Sequence, residues 1–231
     1  MVDIHCHIIH GVDDGPSTLE ESIKMVYKAV ELGIKIIVAT PHYRYNKTDF
    51  FKKVDENLNE LRSKVSDLDI KIFRGTEVRI DPSLTEIVKE SDELLIENSK
   101  SLLVEFPYDR IPFFTKETLY NLQLQGIVPI IAHAERNLAL QQNRIALERI
   151  LSENIPVQVD AGSFTGFNGK NSKKLAMFLL DNNLIDYIAS DAHCAEDYDE
   201  FYSKAYSIVA RSKGQHAANM LFGLNPGSIW D

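Results

Sequence analysis

Short apolar segments alternate along the chain with longer stretches in which apolar residues recur at helical spacing. The β-branched and aliphatic segments predict seven strands, at Val2–Ile4, Ile34–Ala39, Ile70–Phe73, Leu102–Val104, Ile127–Ile131, Val157–Val159 and Ile185–Ala189. The stretches between and after them predict seven helices, at Ser17–Leu32, Asp49–Ser66, Leu84–Glu90, Thr115–Gln125, Arg144–Asn154, Ser172–Asn182 and Glu200–Arg211. Repeated strand–helix units indicate an α/β fold with mainly parallel strands, which either closes into a barrel or stays an open sheet.

The residues that follow the predicted strands favour the barrel. Every strand is followed by side chains that can bind a metal ion: His5 and His7, His42, Glu77, Glu105, His133, Asp160, and Asp191 with His193. In a barrel the carboxyl ends of all strands form one ring, whereas the outer strands of an open sheet lie too far apart to share a site. We therefore expect a distorted TIM-like (β/α)7 barrel. No internal repeat or linker-like segment divides the chain, so a single domain over residues 1–231 is expected.

Composition narrows the classes of function. The 231 residues carry a formal net charge of −9, which argues against a nucleic-acid-binding protein because affinity for a phosphate backbone depends on clustered Lys and Arg. The two cysteines, Cys6 and Cys194, have no paired spacing and predict free thiols in a reducing compartment. No long apolar run and no basic, apolar leader is present, so we expect a cytoplasmic protein that does not insert into a membrane.

A metal centre explains the ring of side chains at the strand ends. His5 and His7 lie two residues apart on a strand and share one face, where both imidazoles can reach one cation. Glu77 and Glu105 end apolar strands, a costly place for a carboxylate unless it is paired or bound to a cation. Each histidine alone is more often a hydrogen-bonded polar residue than a ligand. The metal hypothesis gains from number, because five of the seven histidines lie at strand ends.

Three neighbouring residues have less specific signals. Asp14, in the loop Asp13-Asp14-Gly15, is equally consistent with a metal ligand and with a turn that precedes a helix cap. Asp160 is interpreted as a structural residue or as a support for the ligands. Cys6 lies between two histidines on the strand, so its side chain should face the opposite side and fill the core.

Other hydrolase chemistries lack their residues in this chain. A cysteine-dependent phosphatase needs an arginine six residues after its cysteine, but those positions are Val12 and Glu200. The stretch Gly162–Lys170 is similar to a phosphate-binding P-loop, yet position 164 is Phe where that loop requires glycine. We interpret this stretch as a loop that leads into a helix and can contact a substrate. No Gly-x-Ser-x-Gly nucleophile elbow is present.

The short motifs at the strand ends resemble a known superfamily when they are taken together. They are Asp3-Ile4-His5-Cys6-His7, Val12-Asp13-Asp14-Gly15, Ala39-Thr40-Pro41-His42, Gly75-Thr76-Glu77-Val78, Ala132-His133-Ala134-Glu135-Arg136 and Ser190-Asp191-Ala192-His193. This set resembles the PHP (polymerase and histidinol phosphatase) superfamily, and within it the capsule-locus tyrosine phosphatases of the CpsB/CapC type. The likeness covers nearly the whole chain.

The resemblance implies a barrel that holds three divalent cations, typically manganese, with Fe, Zn or Mg as substitutes. It implies three ligand sets, in which Glu77 bridges two cations: His5, His7, Glu77 and Asp191; Glu77, Glu105 and His133; Asp14, His42 and His193. Arg136 matches the position from which the family contacts phosphate. Clustered cations would supply a hydroxide nucleophile, because they lower the pKa of bound water. The catalytic residues that the resemblance implies are Arg136, Asp191, His42 and His193. Either His42 or His193 would donate a proton to the leaving group.

One departure from the family pattern concerns the substrate. Members of this group often place an arginine in the loop after the Ser-Asp-Ala-His motif, where it helps to hold phosphate. Here the loop reads Cys194-Ala-Glu-Asp-Tyr-Asp-Glu-Phe, and the next arginine is Arg211. Arg44 and Arg79 are the candidates to replace it.

Three functions are compatible with these residues. The resemblance favours a manganese-dependent protein-tyrosine phosphatase that acts on the tyrosine-rich tail of a bacterial tyrosine kinase controlling capsular or exopolysaccharide synthesis. The alternative is a small-molecule phosphomonoesterase, such as a histidinol-phosphate phosphatase, with the same metals. The third is a regulatory protein that keeps the fold but not the chemistry, which the intact ligand set disfavours. A homo-oligomer is compatible with each.

Overall fold

The strands that the structure describes pair in parallel. The computed structural model describes residues 1–43, 45, 49–151 and 154–230. Within them, eight strands are β1 Val2–Cys6, β2 Ile36–Ala39, β3 Lys71–Arg74, β4 Glu77–Arg79, β5 Ser101–Glu105, β6 Val128–Ile131, β7 Gln158–Asp160 and β8 Tyr187–Ala189. The predicted α/β fold with parallel strands is therefore confirmed.

The strands form three sheets, in the orders β1-β2-β3, β4-β5-β6 and β7-β8. Single parallel bridges link neighbouring sheets: Cys6 pairs with Ala192, His42 with Glu77, and Ile131 with Val157. The carboxyl ends of all three sheets carry the residues singled out above.

Gly75 lies between two strands that belong to different sheets. β3 pairs with β2, whereas β4 begins two residues after Gly75 and pairs with β5. A Cβ atom at Gly75 would lie 2.8 Å from Val38 Cγ1 and 3.3 Å from Ile96 Cγ1, so only glycine lets the chain turn here. The prediction of seven strands missed β4, since a three-residue strand directly after a turn has no apolar run of its own.

Helices occupy most of the remaining chain: α1 Leu19–Glu31, α2 Phe50–Lys64, α3 Leu84–Glu90, α4 Thr115–Leu124, α5 Leu138–Gln142, α6 Arg144–Leu151, α7 Ala161–Thr165, α8 Lys170–Asp181, α9 Ala195–Asp197, α10 Ser203–Lys213, α11 Gln215–Asn219 and α12 Asn225–Gly227. Short 3₁₀ turns cover Ala134–Arg136 and Ser228–Trp230, and π-helical turns cover Tyr198–Tyr202 and Met220–Leu224. No helix among the described residues is long and apolar enough to cross a membrane.

Two local predictions are refined by the helices. Helix α1 begins at Leu19, two residues after the predicted start at Ser17, because Thr18 is the N-cap and Glu21 completes its capping box. The stretch Gly162–Lys170 was predicted to be a loop, but its beginning lies in the helical turn α7 and its last residue begins α8. Gly166 ends α7 with a φ of 93°, which explains why this glycine-rich stretch can contain a helix end.

The strands contribute one layer of apolar side chains below the site. A buried cluster joins Ile4, Val38, Leu103, Ile130 and Ala189, which come from all three sheets. Since side chains alternate along a strand, the positions two residues beyond this layer face the same side. Glu105 occupies such a position at the end of β5, two residues beyond Leu103, so the apolar layer directly precedes the polar end of this strand.

Candidate metal centre

The end of β1 presents two imidazoles to a common point. His5 and His7 are fully buried, and their Nε2 atoms lie 3.2 Å apart. On the opposite edge of each ring, His5 Nδ1 lies 3.1 Å from Gln158 Oε1 and His7 Nδ1 lies 2.7 Å from Asp13 Oδ2. Because these acceptors take the Nδ1 protons, each ring in its neutral form directs its Nε2 lone pair at the centre.

Glu77 lies in the middle of the histidines. Its Oε2 is 3.4 Å from the Nε2 atoms of both His5 and His7 and 2.8 Å from His42 Nδ1, while its Oε1 is 2.6 Å from His133 Nε2. The residue is 1% exposed, and Oε2 accepts no hydrogen bond from any described residue. A buried carboxylate oxygen surrounded by imidazole nitrogens has the donor set that a divalent cation needs.

Loops after β8 and β6 supply Asp191 and His133. Asp191 Oδ1 lies 3.2 Å from His5 Nε2 and 3.3 Å from His7 Nε2, which adds a second carboxylate to this group. The backbones of Asp191 and His133 have φ values of 51° and 30°, in a region that side-chain-bearing residues seldom adopt. Such strain persists where the surrounding structure demands it, and it is frequent at functional sites.

A more exposed group lies beside the buried one. Asp14 Oδ1 is 3.4 Å from His193 Nε2 and 3.6 Å from His42 Nε2. Glu105 joins His42 and Glu77 in a further group. The backbone carbonyl of Asp191 is 2.9 Å from His193 Nδ1, so that nitrogen is the donor and Nε2 of neutral His193 has the free lone pair.

All nine predicted ligands are therefore brought together. Among the described residues, candidate ligand atoms that lie within 4.8 Å of one another form four groups: His7, Asp14, His42 and His193; His5, His7 and Glu77; His5, His133 and Asp191; His42, Glu77 and Glu105. The shared members make one continuous cluster rather than separate sites. Mixed imidazole and carboxylate donors fit Mn, Fe or Zn better than Mg, which prefers oxygen ligands and water.

Comparison with known proteins bears on this cluster. The family model for "Capsular polysaccharide synthesis, CpsB/CapC" matches residues 1–231. CapC from Staphylococcus aureus is 40% identical over 196 residues, covering 84% of this chain and 77% of its own length. This chain belongs to the CpsB/CapC family. The tyrosine-protein phosphatase YwqE from Bacillus subtilis is 32% identical to this chain over 225 residues, which cover 96% of this chain and 88% of YwqE.

Solved structures agree with that membership. One similar solved chain comes from the crystal structures of YwqE from Bacillus subtilis and CpsB from Streptococcus pneumoniae, described as unique metal-dependent tyrosine phosphatases. It superposes on this chain with a TM-score of 0.91 and 31% identity. That match covers 100% of this chain and 94% of the solved one. A histidinol phosphate phosphatase from Lactococcus lactis has a TM-score of 0.58 and 16% identity over 92% of this chain and 93% of its own. At that identity, the likeness shows a shared fold alone.

Charges within the CpsB/CapC site are strongly coupled. Burial opposes protonation of His133, but the Glu77 carboxylate overcomes it and raises the pKa of His133 to about 10. Burial likewise opposes ionisation of Asp191 and Glu77, yet the nearby histidines lower the pKa of both carboxyl groups. The metal-free site therefore holds carboxylates and protonated imidazoles together, and a cation would replace those protons.

Arg136 lies where the charged cluster meets a cavity of about 240 Å³. Its Nη1 is 2.6 Å from Asp191 Oδ2 and 3.0 Å from Asp160 Oδ2, which leaves the other guanidinium nitrogens for a ligand. Arg79 also lines this cavity, with its Nε 3.3 Å from Glu105 Oε1 and its side chain 62% exposed. Arg44, the other proposed phosphate contact, lies outside the described residues.

The loop that lacks the family arginine is helical here. Cys194 precedes the short helix α9, and the π-helical turn Tyr198–Tyr202 follows it. The next arginine, Arg211, lies exposed in α10 and does not line the cavity beside His133. Within that cavity's described lining, Arg79 and Arg136 are the arginines available to an anion.

Neither cysteine is suited to nucleophilic attack. Both are free thiols. Cys6 is buried beneath the site, with its Sγ 3.2 Å from Tyr198 Oη, as expected for a core residue. Cys194 is exposed, but partial desolvation and the charge of Asp197 raise the pKa of its thiol to about 11, so it stays protonated near neutral pH.

Sequence reasoning missed two residues that orient the ligands. Asp13 was seen only as part of a turn, yet its Oδ2 faces His7 Nδ1 and accepts a hydrogen bond from His42 N at 3.0 Å. Burial opposes ionisation of Asp13, but the hydrogen bond from His7 lowers its pKa to about 2. Gln158 gave no signal as a neutral residue within a strand. Its position two residues before Asp160 was the one clue that it faces the site.

Proposed function

We propose that this chain is a metal-dependent protein-tyrosine phosphatase. The observation that carries the proposal is a continuous cluster of nine candidate ligands, seven of which line one cavity together with Arg136. Membership of the CpsB/CapC family, and relatives named tyrosine-protein phosphatases, support phosphotyrosine as the substrate. The proposed cation is manganese, three per chain, with Fe, Zn or Mg as substitutes.

The proposed ligand sets are those that the family resemblance implies. The distances group two of these residues differently, since Glu105 lies with His42 and Glu77, and His133 lies with His5 and Asp191. One cation would be held by His5, His7, Glu77 and Asp191, a second would be held by Glu77, Glu105 and His133, and a third would be held by Asp14, His42 and His193. When bound, divalent cations activate water as a nucleophile and neutralise negative charge on a phosphoryl group. The negative charge of the site's carboxylates makes it a poor place for a phosphate unless cations are present.

The chain's own residues would bind and orient the ester. In this proposal the free nitrogens of Arg136 hold phosphoryl oxygens, with Arg79 as a second cationic group at the cavity wall. His42 and His193 are about one-third exposed and are the candidates for protonating the leaving group. A phenolate, with a pKa near 10, needs less assistance from an acid than an alkoxide does.

The aromatic loop beside the cavity favours a tyrosine ester over a small polar one. Tyr108 and Phe106 line the cavity, and Tyr108 is 63% exposed. An aromatic ring at the mouth can stack against a phosphotyrosine ring. A histidinol-phosphate phosphatase is not favoured, since the family relatives are named tyrosine phosphatases.

The proposed partner is a bacterial tyrosine kinase with a phosphorylated, tyrosine-rich tail, acting in capsular polysaccharide synthesis. The family's role in capsule synthesis supports it. We also propose that the three sheets close into one distorted barrel as a single domain. The bridges between sheets and the apolar cluster shared by all three support that closure.

Hydrolysis of phosphotyrosine peptides and histidinol phosphate by the Mn²⁺-loaded protein tests the proposal. We expect turnover of the peptide to exceed that of histidinol phosphate, to stop with a chelator and to return with added Mn²⁺. Thiol alkylation should leave most of the rate, because neither cysteine is suited to nucleophilic attack. Activity that persists after complete metal removal would contradict the proposed function, and preference for histidinol phosphate would favour the alternative.

A further inference from the structure

Strand β7 carries two polar side chains on its site-facing side. Gln158 and Asp160 lie two residues apart, so both project from the same face of the strand, while Val159 projects into the core. Gln158 is 0% exposed and Asp160 is 1% exposed. Buried polar groups of this kind require partners, and each of these two has several.

The hydrogen bonds of Gln158 fix which way its amide points. The backbone N–H of His133 donates to Gln158 Oε1 at 3.0 Å, so the atom at that position must be the oxygen. The same oxygen lies 3.1 Å from His5 Nδ1, which must therefore carry a proton. The side-chain amide thus fixes the tautomer of His5 and braces the strained backbone of His133.

The other end of that amide contacts Asp160. Gln158 Nε2 donates to Asp160 Oδ1 at 2.9 Å, and Asp160 Oδ2 accepts a hydrogen bond from Arg136 Nη1 at 3.0 Å. Asn168 Nδ2 donates to the same Oδ2 at 3.3 Å, and the Asp160 backbone N–H donates to Glu135 Oε1 at 3.1 Å. Asp160 is therefore held on several sides while it holds the guanidinium.

We propose that Gln158 and Asp160 form a positioning pair, which sets the orientation of two candidate metal ligands and of Arg136 through one short strand. Hydrogen bonds connect His5 and His133 to the Gln158 amide, the amide to the Asp160 carboxylate, and the carboxylate to Arg136. Its role in binding phosphate rests on the proposed function of Arg136. Its role in orienting His5 follows from the hydrogen bonds alone.

Each side chain has a separable part in this pair. Removing the Gln158 amide frees the His5 ring and leaves its Nδ1 proton without an acceptor, which should weaken cation binding. Replacing Asp160 by Asn keeps an oxygen to accept from Gln158 but removes the charge that holds Arg136. The first change should therefore act mainly on metal affinity and the second mainly on phosphate affinity.

The metal arm of the test compares Gln158→Met and Gln158→Glu by titration calorimetry with Mn²⁺. Loss of a group that orients a ligand typically weakens metal binding about 10–100-fold, which is the expected result for Gln158→Met. Gln158→Glu retains an acceptor for His5 and should keep metal affinity closer to that of the unmodified protein. The carboxylate of Glu cannot donate to Asp160, so this variant should bind phosphate more weakly.

The phosphate arm measures binding of inorganic phosphate to the Mn²⁺-loaded protein, a readout that does not need turnover. Asp160→Asn should bind Mn²⁺ normally and phosphate at least about tenfold more weakly, since the change removes the charge-assisted hydrogen bond that orients Arg136. In an Arg136→Met background, Asp160→Asn should have little further effect, because both changes remove the same contact. With a phosphotyrosine peptide, Asp160→Asn should raise KM more than it lowers kcat.

Asp186→Asn is a matched control, because Asp186 directly precedes β8 and contacts the residue before β7, at the end away from the site. Asp186 Oδ2 accepts a hydrogen bond from Val157 N at 2.8 Å, so this variant changes a carboxylate that supports β7 away from the site. It should leave both Mn²⁺ and phosphate affinity unchanged. Thermal unfolding of all variants separates loss of fold from loss of positioning.

The outcomes separate this inference from the proposed function. Unaltered Mn²⁺ affinity in Gln158→Met, or unaltered phosphate affinity in folded Asp160→Asn, overturns the positioning pair. A Mn²⁺-loaded protein that binds phosphate but does not hydrolyse phosphotyrosine peptides overturns the proposed function, while the two affinities still decide the pair.

Discussion

At the scale of single residues, Glu77 is the side chain around which the site is organised. Its two oxygens face four histidines that come from three different parts of the chain. A carboxylate with 1% exposure is costly to bury, and its neighbours offset that cost only while they are protonated or bound to a cation. The same residue therefore links the stability of the metal-free protein to its ability to bind metal.

Replacing His5 by Ala should remove a buried imidazole that is close to two carboxylates. We expect phosphatase activity to fall by at least about 1000-fold, in line with the loss of a group that acts as part of a unit. Bound Mn²⁺, measured by elemental analysis, should fall as well. His216→Ala is the matched control, since His216 is exposed in α11, and it should retain full activity and metal content. Equal activity of the two variants would exclude His5 as a ligand.

Protons should leave the site when metal binds. The pKa of His133 in the metal-free protein is raised to about 10, so this imidazole is protonated at neutral pH, but a ligand must be neutral. We expect Mn²⁺ titrations near pH 7 to release at least about one proton per chain, seen as a dependence of the binding enthalpy on the buffer's ionisation enthalpy. Binding enthalpies that do not vary with the buffer would contradict this.

The same shift predicts how stability depends on pH. A histidine whose pKa is raised on folding stabilises the protein fully below its unfolded pKa of about 6.5, and this contribution is lost as pH rises toward about 10. The free energy of unfolding of the metal-free protein should therefore fall over this window, as measured by urea denaturation. In the metal-loaded protein His133 is already neutral, so this particular decrease should be absent.

At the scale of elements, the strand pattern was predictable wherever a strand is apolar on both sides. β5 and β6 come from continuous apolar runs, because sheet and helices cover both of their faces. β1 instead alternates, with Asp3 and His5 between its apolar residues. β4 was missed, since Glu77 and Arg79 flank its one apolar residue. Glu77 was still identified as a ligand, because it follows an apolar run at the correct end. The orienting role of Gln158 was not predicted, because it depends on partners that are distant in sequence.

Gly75 is the element-scale position on which the placement of Glu77 depends. A methyl group there would press on Val38 and Ile96, so Gly75→Ala should destabilise the protein by about 1–3 kcal/mol and weaken Mn²⁺ binding by shifting β4. At Gly227, in α12, a Cβ would meet no heavy atom within 4 Å. Gly227→Ala should therefore be neutral or stabilising by up to about 1 kcal/mol. Denaturant midpoints and Mn²⁺ affinities measure both variants, and equal losses in the two would contradict the role of Gly75.

At the scale of the whole molecule, charge and metal binding are connected. The net charge of −9 includes the carboxylates of Asp14, Glu77, Glu105 and Asp191, which the fold gathers at one end of its strands. Like charges brought together destabilise a compact state, and bound cations remove that cost. The acidity that argued against nucleic-acid binding is in part a property of this centre.

Metal removal should therefore lower the thermal stability of the entire chain. Ligand at about 1,000 times its dissociation constant stabilises by roughly 4 kcal/mol per site. For a domain of this size, each kcal/mol raises Tm by about 2–4 °C, so a chelator should lower Tm by roughly 8–16 °C for one site. Scanning calorimetry with stepwise addition of Mn²⁺ to the chelated protein measures the shift. The Tm increase on adding Mn²⁺ should be much smaller in His5→Ala and unchanged in His216→Ala. A Tm that changes with neither chelator nor Mn²⁺ would mean that protonated histidines alone balance the clustered carboxylates.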